Sequence, residues 1–264
     1  MGLGSPGRFT RDIADALRFF TRLRVGELGP SAPLDIDRIA WAAPVAGVAV
    51  GLIGALILAL AALLGLPPLL RAGLATAALI VATGALHEDG LADIADGFGG
   101  GATRARKLEI MRDSRIGAYG AIAIALALIL RVGALAAALD GGFWRAALGL
   151  MLVAALSRAA ALTPLALLPP ARADGAGAAA GRLDSSALVA AWGSALVIAL
   201  ALGLVALGLA HALFAALMSG VGALLTVALA RRAIGGQTGD VAGAAQQCSE
   251  IAAWCGLLIG HTSP

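Results

Sequence analysis

Charged residues are scarce in this sequence. Only 13% of its 264 residues are charged, whereas 60% are hydrophobic and the mean hydropathy is +0.91. A soluble globular domain carries about 25% charged residues, so the composition excludes that class. The chain is also rich in glycine, which is frequent in closely packed membrane helices. We therefore predict an all-α, polytopic membrane helical bundle.

Cysteine is also scarce. The chain has two, Cys248 and Cys255, which lie seven residues apart in one apolar run. This spacing gives no sign of the disulfide frameworks that hold small secreted domains together. Both are predicted to be small side chains within a helix.

The N-terminal segment, residues 1–38, shows no cleavable signal peptide. Its stretch "GRFTRDIADALRFFTRLR" repeats arginine and large apolar residues at helical spacing. That pattern is typical of a basic amphipathic helix lying at the membrane interface. The alternative is a helix that docks on the protein's own loops.

Seven apolar stretches follow, each near the roughly 20 residues that a bilayer crossing needs. We predict about seven transmembrane helices within a single integral membrane domain, 1–264, at approximately 39–64, 69–87, 117–139, 146–168, 187–209, 212–230 and 241–260.

The distribution of basic residues predicts the orientation. Of the 19 lysines and arginines, 15 fall in the N-terminal segment and in the connections 88–116, 169–186 and 231–240. By the positive-inside rule these regions, and hence the N-terminus, are cytoplasmic. The net charge of +3 then reports topology and contact with anionic lipid, and gives no argument for nucleic acid.

An acidic stretch, "TGALHEDGLADIADGFGGG", begins where the second predicted span ends. Asp89, Asp93 and Asp96 are spaced i, i+4 and i+7, so a helix carries them on one stripe beside Glu88. Carboxylates at this spacing repel one another unless a cation lies among them, and oxygen ligands suit Mg²⁺. The alternative is a solvated acidic face that nearby arginines neutralise.

The residues just downstream favour a phosphate ligand. Gly99 and Gly100 free backbone amides for close approach to an anion, and "TRARKLEIMRDSRIGAYG" adds Arg112 and Arg115 to a basic cluster. A metal beside a cation clamp is suited to a diphosphate. We therefore predict that 88–116 is a cytoplasmic catalytic segment, although a basic loop alone is more often a topology signal.

Charged residues also occur inside predicted spans, where they mark a functional interior by default. Arg158 and Glu250 lie within apolar helices, and Asp240 precedes the last one. The alternative is a buried structural pair of Arg158 with Glu250. Arg131 is expected nearer the outer end of the third span, with its guanidinium reaching the interface.

These strings together resemble one family. "LRFFTRL", "HEDGLADIADG", "EIMRDSRIGAYG", an intramembrane "SR" and "GGQTGDVAGA" occur in the order and at the separations found in the cobalamin synthases, the adenosylcobinamide-GDP ribazoletransferases. The resemblance covers nearly the whole chain. It implies a Mg²⁺-dependent transferase of the bacterial inner membrane that joins the corrinoid-GDP to α-ribazole or its 5′-phosphate and releases GMP.

The resemblance, with the chemistry above, assigns roles by position. The predicted metal ligands are Glu88, Asp89, Asp93 and Asp96. The predicted catalytic residues are Arg112, Asp113, Arg158 and Asp240, with Asp113 or Asp240 as general base. The predicted substrate-binding residues are Gly99, Gly100, Ser114, Arg115, Ser157 and Thr238.

Two other classes of membrane protein fit the sequence less well. A CDP-alcohol phosphotransferase also uses clustered aspartates, but its arginine and its wider aspartate spacing are missing from "DGLAD". A transporter usually buries its charges near the midplane and shows internal repeats, whereas most charges here cluster at one face. The sequence leaves open the oligomeric state and contacts with other cobalamin-assembly enzymes.

Overall fold

The computed structural model describes residues 6–26, 35–173 and 181–260. Parts of the predicted N-terminal segment 1–38 and of the connection 169–186 lie outside these ranges. The described chain is all-helical, without a β-strand. Its helices are α1 (Pro6–Phe20), α2 (Ile36–Ile39), α3 (Ala43–Leu63), α4 (Pro68–Thr83), α5 (Leu86–Gly100), α6 (Arg104–Ile110), α7 (Ala118–Asp140), α8 (Phe143–Leu167), α9 (Ser185–Leu202), α10 (Leu209–Ile234) and α11 (Gly239–Leu258).

Five helical stretches are long and apolar enough to cross a membrane: Ile36–Leu63, Ala118–Asp140, Phe143–Leu167, Ser185–Leu207 and Leu209–Ile234. They agree with five of the predicted spans to within a few residues. The bent pair α4 and α5 would make a sixth. The figure of about seven is not confirmed, because α11 carries Gln246, Gln247 and Glu250 and is not among these stretches.

The centre of the bundle is α8. In its most apolar 18-residue window, 89% of the residues are buried, against 44% in the stretch Ile36–Leu63. Small residues allow this packing: a β-carbon at Gly47 of α3 would lie 2.3 Å from the carbonyl oxygen of Ala154 in α8. The two backbones are therefore in direct contact, as in other tightly packed membrane helices.

Helix α1 docks on the protein. Its buried Asp12 bonds Arg38 and the indole N–H of Trp41, and Phe20 stacks on His87 of α5. This is the docked arrangement that the sequence left as the alternative, while contact with lipid stays a prediction.

The three long connections meet on one side of the bundle. Arg104 of α6 donates to the carbonyl oxygens of Ile234 and Ala171 at 2.7 and 2.8 Å. A short parallel bridge joins Pro170 to Gln237. The segments 88–116, 169–173 and 231–240 therefore contact one another at one end of the bundle, in agreement with the single side on which their basic residues placed them.

Candidate active site

A sharp bend places the acidic helix. Gly84 and Ala85 both adopt left-handed conformations, with φ of 66° and 57°, and α5 leaves α4 at 89°. A positive φ is unfavourable for alanine, so the packing around the bend compensates for Ala85. The bend buries His87 and Glu88 and directs the rest of α5 across the end of the bundle.

Helix α5 crosses α11 at two glycines. A β-carbon at Gly90 would lie 2.8 Å from the carbonyl oxygen of Asp240 and 3.2 Å from the Cα of Gly243. This close crossing brings Asp240 near the acidic stripe, so that the charges of Asp240, Asp89 and Asp96 all act on Asp93. Four carboxylates from two helices therefore share one electrostatic environment.

The stripe and the basic loop line one cavity of about 310 Å³. Its polar lining comes from α5 and from the loop after α6, and its apolar lining includes Met111, Ile116 and Ile124. The polar members are Asp89, Asp93, Arg112, Asp113, Ser114 and Arg115. The structure thus brings together the two halves that the sequence placed in the segment 88–116.

Asp96 is engaged at the start of α7. Its two carboxylate oxygens accept the backbone N–H groups of Gly117 and Gly120 at 2.7 and 2.9 Å. The first N–H groups of a helix have no partner within it and attract negative charge. Asp96 therefore caps α7 and fixes the far end of α5.

Glu88 points into the bundle. Its Oε1 accepts from Arg131 of α7 at 2.7 Å and from Gln247 of α11 at 3.1 Å, and the side chain is almost fully buried. Of the four predicted metal ligands, Asp89 and Asp93 line the cavity, whereas Glu88 and Asp96 bond the protein itself.

The expectation for Arg131 was wrong. Its side chain is only 4% exposed and bonds Glu250 at 2.8 Å as well as Glu88, so it does not reach the outer interface. A single arginine in an apolar span carries no sign of its depth in the sequence. Here the two carboxylates draw it into the interior.

Ser157 and Arg158 lie in the same interior, away from the cavity lining. Arg158 donates to the hydroxyl of Ser157 and to the carbonyl of Ala154, both at 3.3 Å, and Ser157 accepts from Gln246 at 3.0 Å. The ion-pair partner of Glu250 is Arg131, so the alternative of an Arg158–Glu250 pair does not hold among the described contacts. The Nε of Arg158 has no hydrogen-bond partner in the described chain.

The first turn of α11 presents Asp240. Thr238 caps the helix by accepting the N–H of Val241 at 3.3 Å, and its hydroxyl donates to Asp240 at 3.1 Å. Arg172 lies 3.4 Å from the same carboxylate. Burial nevertheless raises the pKa of Asp240 above its ordinary value, so this carboxylate accepts protons more readily than a free aspartate.

Asp113 has the opposite electrostatics. Arg115 donates to its carboxylate from Nε, Nη2 and the backbone N–H, at 2.6 to 3.2 Å. These bonds lower the pKa of Asp113 to about 2. Such a weakly basic carboxylate is poorly suited to take a proton near neutral pH.

Gly99 and Gly100 form the last turn of α5 outside the cavity lining. Gly99 packs on the ring of Tyr119, where a β-carbon would lie 2.7 Å from the ring. The residues that sequence reasoning missed are Arg172, Gln246 and Gln247. The two glutamines are adjacent amides in an apolar stretch, a signal that could have indicated a buried polar network.

The donor set fits a metal shared with a substrate. Within the described ranges no three His, Cys, Asp or Glu side chains are arranged to hold a metal ion by themselves. Mg²⁺, however, usually binds through one or two carboxylates plus phosphate oxygens and water. Asp89 and Asp93, which line one cavity, are the two carboxylates that would suit such a site.

Comparison with known proteins decides the family. A family model described as cobalamin-5-phosphate synthase matches residues 12–258. The chain belongs to this synthase family. A relative from Azorhizobium caulinodans, named adenosylcobinamide-GDP ribazoletransferase, is 52% identical over 258 residues, which cover 96% of this chain and 97% of that protein.

Two further relatives carry the same name. The protein of Xanthobacter autotrophicus is 49% identical over 258 residues, covering 96% of this chain and 97% of its own length. That of Mesorhizobium japonicum is 46% identical over 253 residues, covering 94% and 93%. No solved structure matches the chain significantly. This member of the cobalamin-5-phosphate synthase family is therefore an enzyme, a transferase of cobalamin synthesis.

Proposed function

We propose that this chain joins adenosylcobinamide-GDP to α-ribazole, or to its 5′-phosphate, and releases GMP at the cytoplasmic face of the bacterial inner membrane. The observation that carries the proposal is the cavity in which two carboxylates of α5 face two arginines of the following loop. The names of the relatives supply the substrates. The cluster of basic residues on one face supplies the orientation.

Asp89 and Asp93 would hold Mg²⁺ together with the diphosphate of the corrinoid substrate. Bound there, the metal neutralises negative charge on the diphosphate and on the leaving phosphate. Glu88 and Asp96 support this pair from either end of α5 through their bonds to α7.

Arg112 and Arg115, from the loop after α6, would bind the diphosphate in the same cavity. Both line it with Ser114, and a guanidinium matches phosphate oxygens in pairs. As the phosphorus passes through its transition state, these cations stabilise charge on the equatorial oxygens. Arg158 and Ser157, which are buried away from the lining, stabilise the interior instead.

The reaction is a displacement at phosphorus. A ribose hydroxyl oxygen of α-ribazole bonds the phosphorus attached to cobinamide, and the bond from that phosphorus to the bridging oxygen breaks, so the oxygen leaves with GMP. The hydroxyl proton passes to a carboxylate. Of the two predicted bases, Asp240 suits this task because its pKa is raised, whereas the pKa of Asp113 is lowered to about 2.

GMP release from purified protein, given adenosylcobinamide-GDP and α-ribazole, tests the proposal. Without Mg²⁺, or with excess EDTA, release should stop. Asp89→Asn and Asp93→Asn should each slow release about 100- to 1000-fold, the usual scale for losing one group that stabilises transition-state charge.

Asp140→Asn is the matched control. Asp140 ends α7, 23 residues from its start beside the cavity, which is about 30 Å along a helix. This variant should keep wild-type activity. Full GMP release by Asp89→Asn and Asp93→Asn at saturating Mg²⁺ would rule out the metal assignment, and no release by the wild type would rule out the reaction.

A further inference from the structure

Arg131 connects two helices that carry acidic residues of the proposed site. It donates from Nε to Glu250 of α11 at 2.8 Å and from Nη1 to Glu88 of α5 at 2.7 Å. All three side chains are at least 90% buried. We call Arg131, Glu88 and Glu250 the interior clamp.

The interior clamp fixes the relative orientation of its two carboxylates as well as neutralising their charge. A guanidinium is planar and holds its N–H groups at fixed angles, so two carboxylates bound to it are fixed relative to each other. Replacing such buried pairs by apolar residues often leaves stability unchanged. Stability alone is therefore a weak explanation for placing three charges inside this bundle.

Glutamines of α11 extend the interior clamp to a fourth helix, α8. Gln247 donates to Glu88 at 3.1 Å and accepts from Arg131 at 3.3 Å. Gln246 donates to Glu250 at 2.6 Å and to Ser157 of α8 at 3.0 Å. Because α8 is the buried centre of the bundle, the interior clamp connects α5 and α11 to the most buried of the spanning helices.

The interior clamp fixes one end of the part of α5 that carries the carboxylates of the proposed site. Glu88 precedes Asp89 directly, while Asp96, at the other end, bonds the start of α7. Helix α5 is thus attached to α7 at two points, and Asp89 and Asp93 lie between them. On α11, Glu250 is ten residues from Asp240, on the helix that contacts Gly90.

We propose that Arg131 is a positioning residue for the transferase reaction. By holding Glu88 and Glu250 it sets the separation between Asp89 and Asp93 on α5 and Asp240 on α11. It touches no substrate. The expected change in kcat rests on the proposed function, whereas the expected change in metal affinity rests on metal binding alone.

Arg131→Lys tests this with the positive charge kept. Lysine offers a point charge without the planar fork, so one carboxylate loses its fixed partner. The change should lower kcat about 10- to 100-fold, as for other residues that orient metal ligands, with the KM for the corrinoid substrate unchanged. Mn²⁺ binding in the presence of inorganic pyrophosphate, followed by electron paramagnetic resonance, should weaken by a similar factor.

Two more variants separate positioning from folding. Glu250→Gln leaves the Arg131–Glu88 pair in place and should show a smaller loss in the same direction. Arg71→Lys is the control, because Arg71 bonds the carbonyl of Leu66 at the start of α4, far from the clamp; it should match the wild type. Thermal unfolding of each protein in detergent reports the folded fraction, to which kcat and Mn²⁺ affinity are normalised.

The outcomes are distinct. Normal Mn²⁺ affinity and kcat in the folded fraction of both Arg131→Lys and Glu250→Gln would overturn the proposal and leave the clamp purely structural. A wild type that releases no GMP would refute the proposed function, and the Mn²⁺ titration would still decide the inference.

Discussion

Substituting Gly90 with alanine perturbs the contact that brings α5 and α11 together. The new β-carbon would lie 2.8 Å from the carbonyl oxygen of Asp240, whereas ordinary contact begins at 3.4 Å. The neighbouring atoms are backbone and cannot rotate away, so α5 has to move by at least 0.6 Å. Such overpacking costs about 1–3 kcal/mol of stability.

The displacement carries Asp89 and Asp93 with it. A misplacement of about 1 Å in a reacting geometry costs about 100-fold in rate, so a shift of 0.6 Å should slow GMP release roughly 10-fold. The measurements are kcat for GMP release, the Mg²⁺ concentration at half-maximal rate, and the unfolding temperature in detergent. The Mg²⁺ midpoint should rise as kcat falls.

Gly73→Ala is the matched control. Gly73 is an interior residue of α4 with open space where its β-carbon would lie. Alanine there should stabilise the helix by about 0.5–1 kcal/mol and leave kcat unchanged. If Gly90→Ala keeps both the wild-type kcat and the wild-type Mg²⁺ midpoint, the α5–α11 crossing does not set the geometry of the site.

Two further predictions separate the roles of individual carboxylates. Since Asp240 has a raised pKa, GMP release should fall as the pH drops through it. Asp240→Asn should leave only the part of that acidic limb that comes from Asp93, whose pKa is raised to about 7 by burial and by the neighbouring carboxylates, and Asp113→Asn should leave the limb unchanged. The folded state holds the Asp240 proton more tightly than the unfolded chain, so the stability contribution of Asp240 falls as pH rises from about 4; Asp240→Asn should therefore melt no lower than the wild type at neutral pH. Asp96→Ala should cost about 0.5–2 kcal/mol through the lost cap of α7. Because Asp96 fixes the far end of α5, the variant should also raise the Mg²⁺ midpoint, but by less than Asp89→Asn does; an equal rise would place Asp96 among the metal ligands.

The sequence predicted those features of the fold and the site that depend on a local pattern of residues. Five spans followed from apolar length alone. The convergence of Asp89 and Asp93 with Arg112 and Arg115 followed from helical spacing and a short connection. The bend at Ala85 could not be predicted from the sequence, because a left-handed alanine depends on packing and has no sequence signature.

Long-range pairing was also beyond the sequence. Arg131 meets Glu88 and Glu250 across 43 and 119 residues. The rotation of three helices about their axes decides that meeting, and small, uniformly apolar residues leave that rotation undefined. For the same reason Glu88, which shares a stretch with three aspartates, faces the interior rather than the cavity.

The polarity of α11 has a consequence for how the chain assembles. A helix with Gln246, Gln247 and Glu250 on its buried face is costly to place in lipid on its own. Its partners Arg131 and Ser157 lie in α7 and α8, which the ribosome makes first. The polar side chains that bind the buried face of α11 are therefore already synthesised when α11, the last described helix, is made. A chain ending before Gly239 would leave Arg131 without Glu250, and should be degraded faster than the full-length protein in a pulse-chase experiment.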